Sequence, residues 1–310
     1  MQPVYFVTLP GVLLLDLAGA AEAFRLANRY GAQYTLHFIG PSEELCSSVG
    51  LALNRIDPLP DALPSGALVV IAGLTSRADD ERGPGGKLTI DWLRHAWRND
   101  LELMTICSGA ILAGAAGLLD GRRCTTHHTL IDKLNHLAPK ALVQDNRVFV
   151  IDGPIATSAG VTTGIDLALE LISERDGPKV ALEVAREMVV WLRRDTAAPQ
   201  LSPFLSFRNH LHPAVHRVQD AISGNPARDW PVDELARIAC VSPRHLARLF
   251  KEHTGIGPVD FRQQMQLAQA EPLLKRRDWS LERIAEASGF GSARDLRRVW
   301  LRHRGSSLHR

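Results

Sequence analysis

Cys107 closes the apolar run Leu101–Ile106 and is followed at once by Ser108-Gly109-Ala110. A strand, a sharp turn and a helix hold a nucleophile exposed at the top of a sheet. A helix N-terminus beside the sulfur would favour the thiolate. His127 follows twenty residues later in Thr125-Thr126-His127-His128, near the next strand. A Cys and a His meeting there would form an activated dyad, although the same spacing fits a buried, inert cysteine. A second group of residues suits different chemistry. Arg244, His245, Ala247 and Arg248 fall on the outward side of one short helix, and Arg294, Asp295, Arg297 and Arg298 on that of another. Arginine can pair bidentately with guanine O6 and N7. Arg248 and Arg298 occupy equivalent positions, so they are the first candidates for reading bases, with Arg244 and Arg294 next. Any of these could instead hold phosphate, which gives affinity without sequence preference.

The elements that must position these residues are legible from periodicity. Val4–Leu9 and Tyr34–Ile39 read as strands, and Ala67–Ile71 and Leu101–Ile106 as apolar runs of the kind buried on both faces. Asp16–Tyr30 and Lys87–Trp97 read as helices between them, and another helix starts at Ser108. The alternation predicts an α/β domain with a parallel sheet flanked by helices. Ligands of such sheets bind outside the carboxyl ends of the strands, where Cys107 lies. A strong amphipathic pattern, Val180, Val184, Met188 and Trp191, marks a helix over 178–194. The Pro-containing stretch Asp195–Pro203 then breaks the pattern. We therefore divide the chain into an α/β domain at 1–195, a linker at 196–211 and an all-α domain at 212–310.

The all-α part repeats itself. Val232–Ala239 is a short amphipathic helix, and Ser242 caps Pro243–His253, which Gly255 stops. Leu281–Ala287 leads to Ser292 and a helix over Ala293–His303 that ends at Gly305. Ser242, Leu246, Phe250 and Gly255 map onto Ser292, Leu296, Trp300 and Gly305 at a constant offset of 50 residues. Two helix-turn-helix units joined by a helix over Pro258–Leu274 are implied. Leu235, Leu246 and Phe250 in one, and Ile284, Leu296 and Trp300 in the other, are assigned to packing. Two such units would enter successive major grooves about 34 Å apart.

Composition agrees. An apolar share of 45% and a charged share of 23% are those of a soluble globular protein. No run of about 18 apolar residues exists to span a membrane, and the N-terminus lacks the basic region of a signal peptide. The net charge of +2 divides into +7 from Leu201 onward and −5 before it. A basic module behind an acidic one suits a polyanion partner for the second only. Cys46, Cys107, Cys124 and Cys240 show no Cys-x-x-Cys spacing, which argues against a disulfide framework or a zinc site and fits a reducing compartment. No cofactor and no metal are expected.

Residues 4–190 resemble the PfpI-type branch of the class I glutamine amidotransferase-like fold. The resemblance rests on Asp16–Phe24, Ile71-Ala-Gly73, Thr105-Ile-Cys-Ser-Gly-Ala110, Ala116–Arg122, Thr126-His127 and Thr157–Asp166. It implies a glutamate near the elbow cysteine, a position that Glu22 matches, and oxyanion-type donors from the Gly73 and Ser108 amides. The chain departs from the catalytic members. None of its twelve histidines is followed by Glu two positions on, as in a glutaminase, and Ser108 stands where protease-like members have His. The likeness is strongest to the subgroup that precedes AraC-type DNA-binding domains, in which the former catalytic pocket serves as an effector site. Cys107, His127, Glu22, Asp16, Gly73 and Ser108 are its candidate lining. Asp16 fits a helix N-cap equally well, and Asp166 is a further candidate.

Residues 212–310 resemble the AraC/XylS DNA-binding domain through Leu246-Ala-Arg-Leu-Phe-Lys-Glu-His-Thr-Gly255 and Ile284-Ala-Glu-Ala-Ser-Gly-Phe290. Pro272 inside the joining helix, Gln266 where Arg is usual and Leu308 where Pro is usual depart from that pattern. Together the resemblances imply a cytoplasmic, nucleoid-associated transcription regulator, an activator and a homodimer through its first domain. Its partners would be promoter DNA, RNA polymerase and a small effector, for which nitrogen-containing metabolites such as amino acids or quaternary amines are the guide. The alternative is a cysteine-dependent PfpI-like hydrolase or glyoxalase-like enzyme carrying a DNA-binding module.

Overall fold

The computed structural model describes residues 1–75, 81–190, 200, 206–208, 210–274, 276 and 278–308. The chain forms two compact units, Met1–Gln200 and Leu201–Arg310. Most of the segment read as a linker, and Trp191 before it, lies outside the described residues.

The first unit is built on a seven-stranded sheet. Its strands are β1 (Gln2–Val7), β2 (Tyr34–Gly40), β3 (Asp57–Pro58), β4 (Leu68–Ile71), β5 (Glu102–Ile106), β6 (Phe149–Asp152) and β7 (Ile155–Ser158). They lie in the order β6-β7-β5-β4-β1-β2-β3. Every pair of neighbours is parallel except β6 and β7, which are antiparallel. This edge departs from the all-parallel expectation for a simple reason. Only Gly153 and Pro154 join β6 to β7, and two residues can close a hairpin but not a crossover. β4 is buried throughout, as its unbroken apolar run requires of a central strand covered on both faces.

Helices α1 (Leu14–Ala27), α2 (Pro84–Ala96), α3 (Gly109–Ala115), α4 (Ile131–Leu137), α5 (Thr162–Asp176) and α6 (Pro178–Glu187) flank the sheet. α1 packs against α5 and α6, and α3 against α2 and α4. Phe6, Phe24, Leu9, Met104 and Phe149 are among the fully buried side chains of one continuous core. Burying each such side chain contributes roughly 1.5–3 kcal/mol, so this core holds the carboxyl ends of β4 and β5 in fixed register.

Among the described residues the second unit contains α7 (Pro213–Gly224), α8 (Val232–Ala239), α9 (Pro243–Thr254), α10 (Pro258–Leu274), α11 (Leu281–Ala287) and α12 (Ala293–Arg304). One core gathers Val215, Val218, Leu235, Leu246, Phe250 and Phe261, and a second gathers Leu267, Ile284, Leu296 and Val299. α10 supplies Phe261 to the first and Leu267 to the second, so a single helix ties two small cores together. Trp300 only borders its core, and Leu308 packs beside it. Pro272 lies in the last turn of α10, which stops two residues later, so the proline trims the helix end. Gln266 is buried and its Nε2 donates to the Gly289 carbonyl at 2.8 Å, joining α10 to the turn after α11.

Gly289 in that turn has φ +77°, and a β-carbon there would collide with the backbone of Ala227. Backbone cannot retreat as a side-chain tip can. Gly289→Ala is therefore expected to destabilise the second unit by about 2 kcal/mol or more. Urea melts of the full chain followed through the tryptophans, three of them in this unit, would show an early transition in the variant; coincident curves would exclude the clash.

Candidate functional site

Each unit carries one candidate site, a pocket in the first and a pair of exposed helices in the second. The pocket lies where β4 and β5 end. Cys107 follows β5 in a left-handed conformation, φ +55°, at the tight turn into α3. Such a conformation costs a non-glycine residue of order 1–3 kcal/mol. Here it is enforced from several sides. The Cys107 amide donates to Ser158 O on β7 at 3.0 Å, and its carbonyl accepts from Thr126 Oγ1 at 2.8 Å. Gly160, φ +100°, presses so closely on Cys107 that any β-carbon there would strike it. The expected elbow geometry is thus present.

Its surroundings disfavour the thiolate. Burial first, and the neighbouring Asp16 carboxylate second, push the thiol up to about 12, against a small opposing effect of the Ser108 amide. His127 lines the same pocket, but its Nδ1 is 2.8 Å from Thr129 Oγ1, and no hydrogen bond joins it to the sulfur among the described residues. Burial and the adjacent His128 lower its basicity. Cys107 and His127 share a cavity without forming a dyad.

Ser108 is structural in a specific way. Its hydroxyl accepts from the Leu74 amide at 2.6 Å and donates to the Leu74 carbonyl at 3.2 Å, clamping the loop after β4 to the elbow. Gly73 lies in that loop, and its carbonyl accepts from Leu13 N at 2.8 Å. The resemblance placed Glu22 beside the cysteine, and the structure corrects this. Glu22 is exposed on α1 and paired with Arg25 at 2.7 Å, one turn along the same helix. Asp16 stands beside the cysteine instead. It lies inside α1 rather than at its N-cap, which is Leu13, and is buried. Its Oδ1 accepts from Val161 N at 2.8 Å. Its Oδ2 has the Gly73 amide nearby but makes no well-formed hydrogen bond. Burial outweighs both amides and raises Asp16 to about 6. Asp166 is buried on α5 and does not line the cavity.

The cavity has a volume of about 320 Å³, within the range of small-molecule sites. Leu13, Leu74, Ile111, Leu112 and Leu130 make its walls apolar. A charged pair that sequence reading had not singled out also lines it. Glu81 is almost fully enclosed and accepts from Lys133 Nζ at 2.9 Å. Fifty-two residues separate the two, so no local pattern links them. Among the described residues no three His, Cys, Asp or Glu side chains group to hold a metal ion.

In the second unit, the repeat seen in the sequence is a repeat in space. Ser242 and Ser292 cap α9 and α12 by accepting from His245 N at 3.3 Å and Asp295 N at 3.1 Å. Gly255 and Gly305 close both helices in the left-handed conformation. Arg244, Arg248, Arg294, Arg297 and Arg298 are exposed, while His245 is half-buried. Arg248 Nη2 lies 3.1 Å from His245 Nδ1, and Arg298 pairs with Asp295 at the corresponding positions. Each unit thus presents a capped amphipathic helix with cations on its free face, the form in which a recognition helix enters a major groove.

This architecture defines a class: an amidotransferase-like α/β domain with an elbow cysteine, followed by a double helix-turn-helix. Comparison with known proteins agrees. Residues 2–174 match the DJ-1/PfpI family, and residues 235–310 match a helix-turn-helix domain. The HTH-type transcriptional regulator CdhR of Pseudomonas aeruginosa is 32% identical, with 94% of this chain and 85% of that one covered. The isonitrile hydratase of Pseudomonas putida is 31% identical, covering 64% of this chain and 83% of its own length. A crystal structure of an AraC family transcriptional regulator from Pseudomonas putida superposes with a TM-score of 0.51 at 21% identity, over 61% of this chain and all of that one, and so shares the fold. The chain belongs to the DJ-1/PfpI family, in its branch of HTH-type transcriptional regulators with an AraC-type DNA-binding domain. It is a DNA-binding transcription regulator. Among the described residues, no helix is long and apolar enough to cross a membrane.

Proposed function

We propose that the regulator is controlled by a small polar metabolite bound, without turnover, in the pocket at Cys107. The observation that carries this is the cavity itself: a Glu81–Lys133 pair and His127 in apolar walls, around a thiol held protonated by burial. An ion pair of an enclosed carboxylate and a half-buried ammonium can meet both ends of a zwitterion or orient an ammonium group, so nitrogen-containing metabolites are the first class to test. The thiol argues against turnover. At pH 7.5 a group titrating near 12 is almost entirely uncharged, and the thiolate is the reactive form.

In this reading α9 and α12 place Arg244, His245, Arg248, Arg294, Arg297 and Arg298 against promoter DNA. The protein works as a homodimeric activator in contact with RNA polymerase, in the cytoplasm on the nucleoid. The test is a melting screen of amino acids and quaternary amines against the wild type and Lys133→Met. A ligand present at 100 times its Kd stabilises by about 2.7 kcal/mol, which is several degrees for a unit of this size. Such a shift in the wild type and its loss in Lys133→Met, with a change in binding to the chain's own upstream DNA, is the expected result. A ligand consumed by the wild type and spared by Cys107→Ala would replace this reading with the enzyme.

A further inference from the structure

The first unit ends at Gln200, the last residue before the second unit begins. Gln200 is hydrogen-bonded into the loop that forms one wall of the pocket. Its Nε2 donates to Thr126 O at 2.8 Å and to Thr125 Oγ1 at 3.4 Å, and its own amide donates to Asn146 Oδ1 at 3.1 Å. Thr126 in turn donates through Oγ1 to the carbonyl of Cys107 at 2.8 Å, and the next residue, His127, lines the cavity. Thr125 and Thr126 are fully buried. Thr125 is fixed independently, its amide donating to Thr157 Oγ1 and its hydroxyl to Gln144 O, both at 2.8 Å.

A short hydrogen-bonded route therefore runs from the elbow, through Thr126, to the side chain of Gln200. We infer that Gln200 is the latch through which pocket occupancy reaches the DNA-binding unit. This rests on the effector reading above. The physical argument is one of economy. A buried donor or acceptor stripped of its partner costs about 1–3 kcal/mol, so Thr126 cannot move without either dragging Gln200 or leaving the Thr126 carbonyl unpaired. An occupant that touches His127 and shifts this loop therefore biases where the chain leaves the first unit. The bias is reciprocal by linkage: DNA bound to the second unit changes the pocket's affinity for its occupant by the same factor as the occupant changes DNA binding, and the latch predicts that this change passes through the pocket loop.

That reciprocity allows a test that needs no effector. Hydrogen–deuterium exchange of the segments at 105–110 and 123–130 is measured on the full chain, free and bound to its footprinted upstream DNA. In the wild type, DNA is expected to change exchange in these segments by about fivefold or more, the lower end of ordinary allosteric couplings. Gln200→Glu keeps the side-chain shape but sets an acceptor against the Thr126 carbonyl. Gln200→Met fills the same space without a donor and serves if the first variant folds poorly. Both are expected to bind the DNA fragment, since α9 and α12 are untouched, and to show no DNA-dependent change in exchange. A purely structural glutamine would lower the melting temperature while leaving that change intact, and this outcome overturns the latch but leaves effector control standing. No change in the wild type itself would also overturn the latch, while effector control would still be decided by the ligand screen above.

Discussion

Replacing Arg248 and Arg298 together by alanine is expected to abolish preference for the regulator's own site while leaving general affinity for DNA. The two side chains occupy equivalent positions on α9 and α12, and both are exposed. A bidentate arginine–guanine pair contributes about 1–3 kcal/mol of discrimination, so losing two removes roughly 2–6 kcal/mol, or about 30-fold to 10⁴-fold. Arg298 must give up its pairing with Asp295 to reach a base. That pair is exposed, and exposed pairs are worth about 0–1 kcal/mol, too little to hold the arginine back. Salt separates the two kinds of contact. If Arg244, Arg294 or Arg297 holds phosphate, each alanine variant weakens binding to all sequences alike and lowers the slope of log affinity against log salt by about one. A double variant that keeps its footprint would mean that other residues read the bases.

Asp16→Asn is expected to stabilise the first unit at pH 7.5–8 and to have no effect near pH 4. Burial raises Asp16 to about 6 in the folded chain, against 3.8 for an ordinary aspartate. The folded state therefore holds this proton more tightly than the unfolded one. Stability contributed by the neutral carboxyl is present in full below the unfolded value and fades as pH rises from about 4 to about 6, leaving an ionised group buried at a cost of up to about 3 kcal/mol. Asparagine keeps the acceptor for Val161 N and removes the charge. Denaturant melts of both proteins at pH 4.5, 6 and 8 would show curves that diverge upward with pH. Parallel curves would mean that Asp16 is ionised in both states without penalty.

The two sites were unequally readable from sequence, for physical reasons. The helix-turn-helix units are local: caps, apolar spacing and stop glycines all fall within about 25 residues, and α10 runs over the span expected of the helix that joins them. The elbow was also local, since an apolar strand, Cys107 and a glycine-started helix follow one another directly. What surrounds it was not. Asp16 and Glu22 lie on one helix two turns apart, and which carboxylate meets Cys107 depends on how α1 packs on α5, where Gly19 lets Ile165 approach. Glu81 and Lys133 read singly as surface charges and become a feature only when α4 brings them together. The hairpin of β6 and β7 lies beyond the strands read from the sequence, which end at Ile106.

The crowding of Gly73 and Gly160 around Cys107 also bears on how this protein ages in air. Oxidation to a sulfenic acid starts from an accessible thiolate and needs room for the added oxygen. Burial disfavours the thiolate of the elbow sulfur, which is reached only through the pocket it lines. Cys46 and Cys240 are exposed. Cys240 lies at the C-terminus of α8, in the left-handed turn of the first helix-turn-helix unit. Oxidants in solution therefore meet the two surface thiols directly, one of them in the DNA-binding unit, and reach the elbow only by way of the pocket.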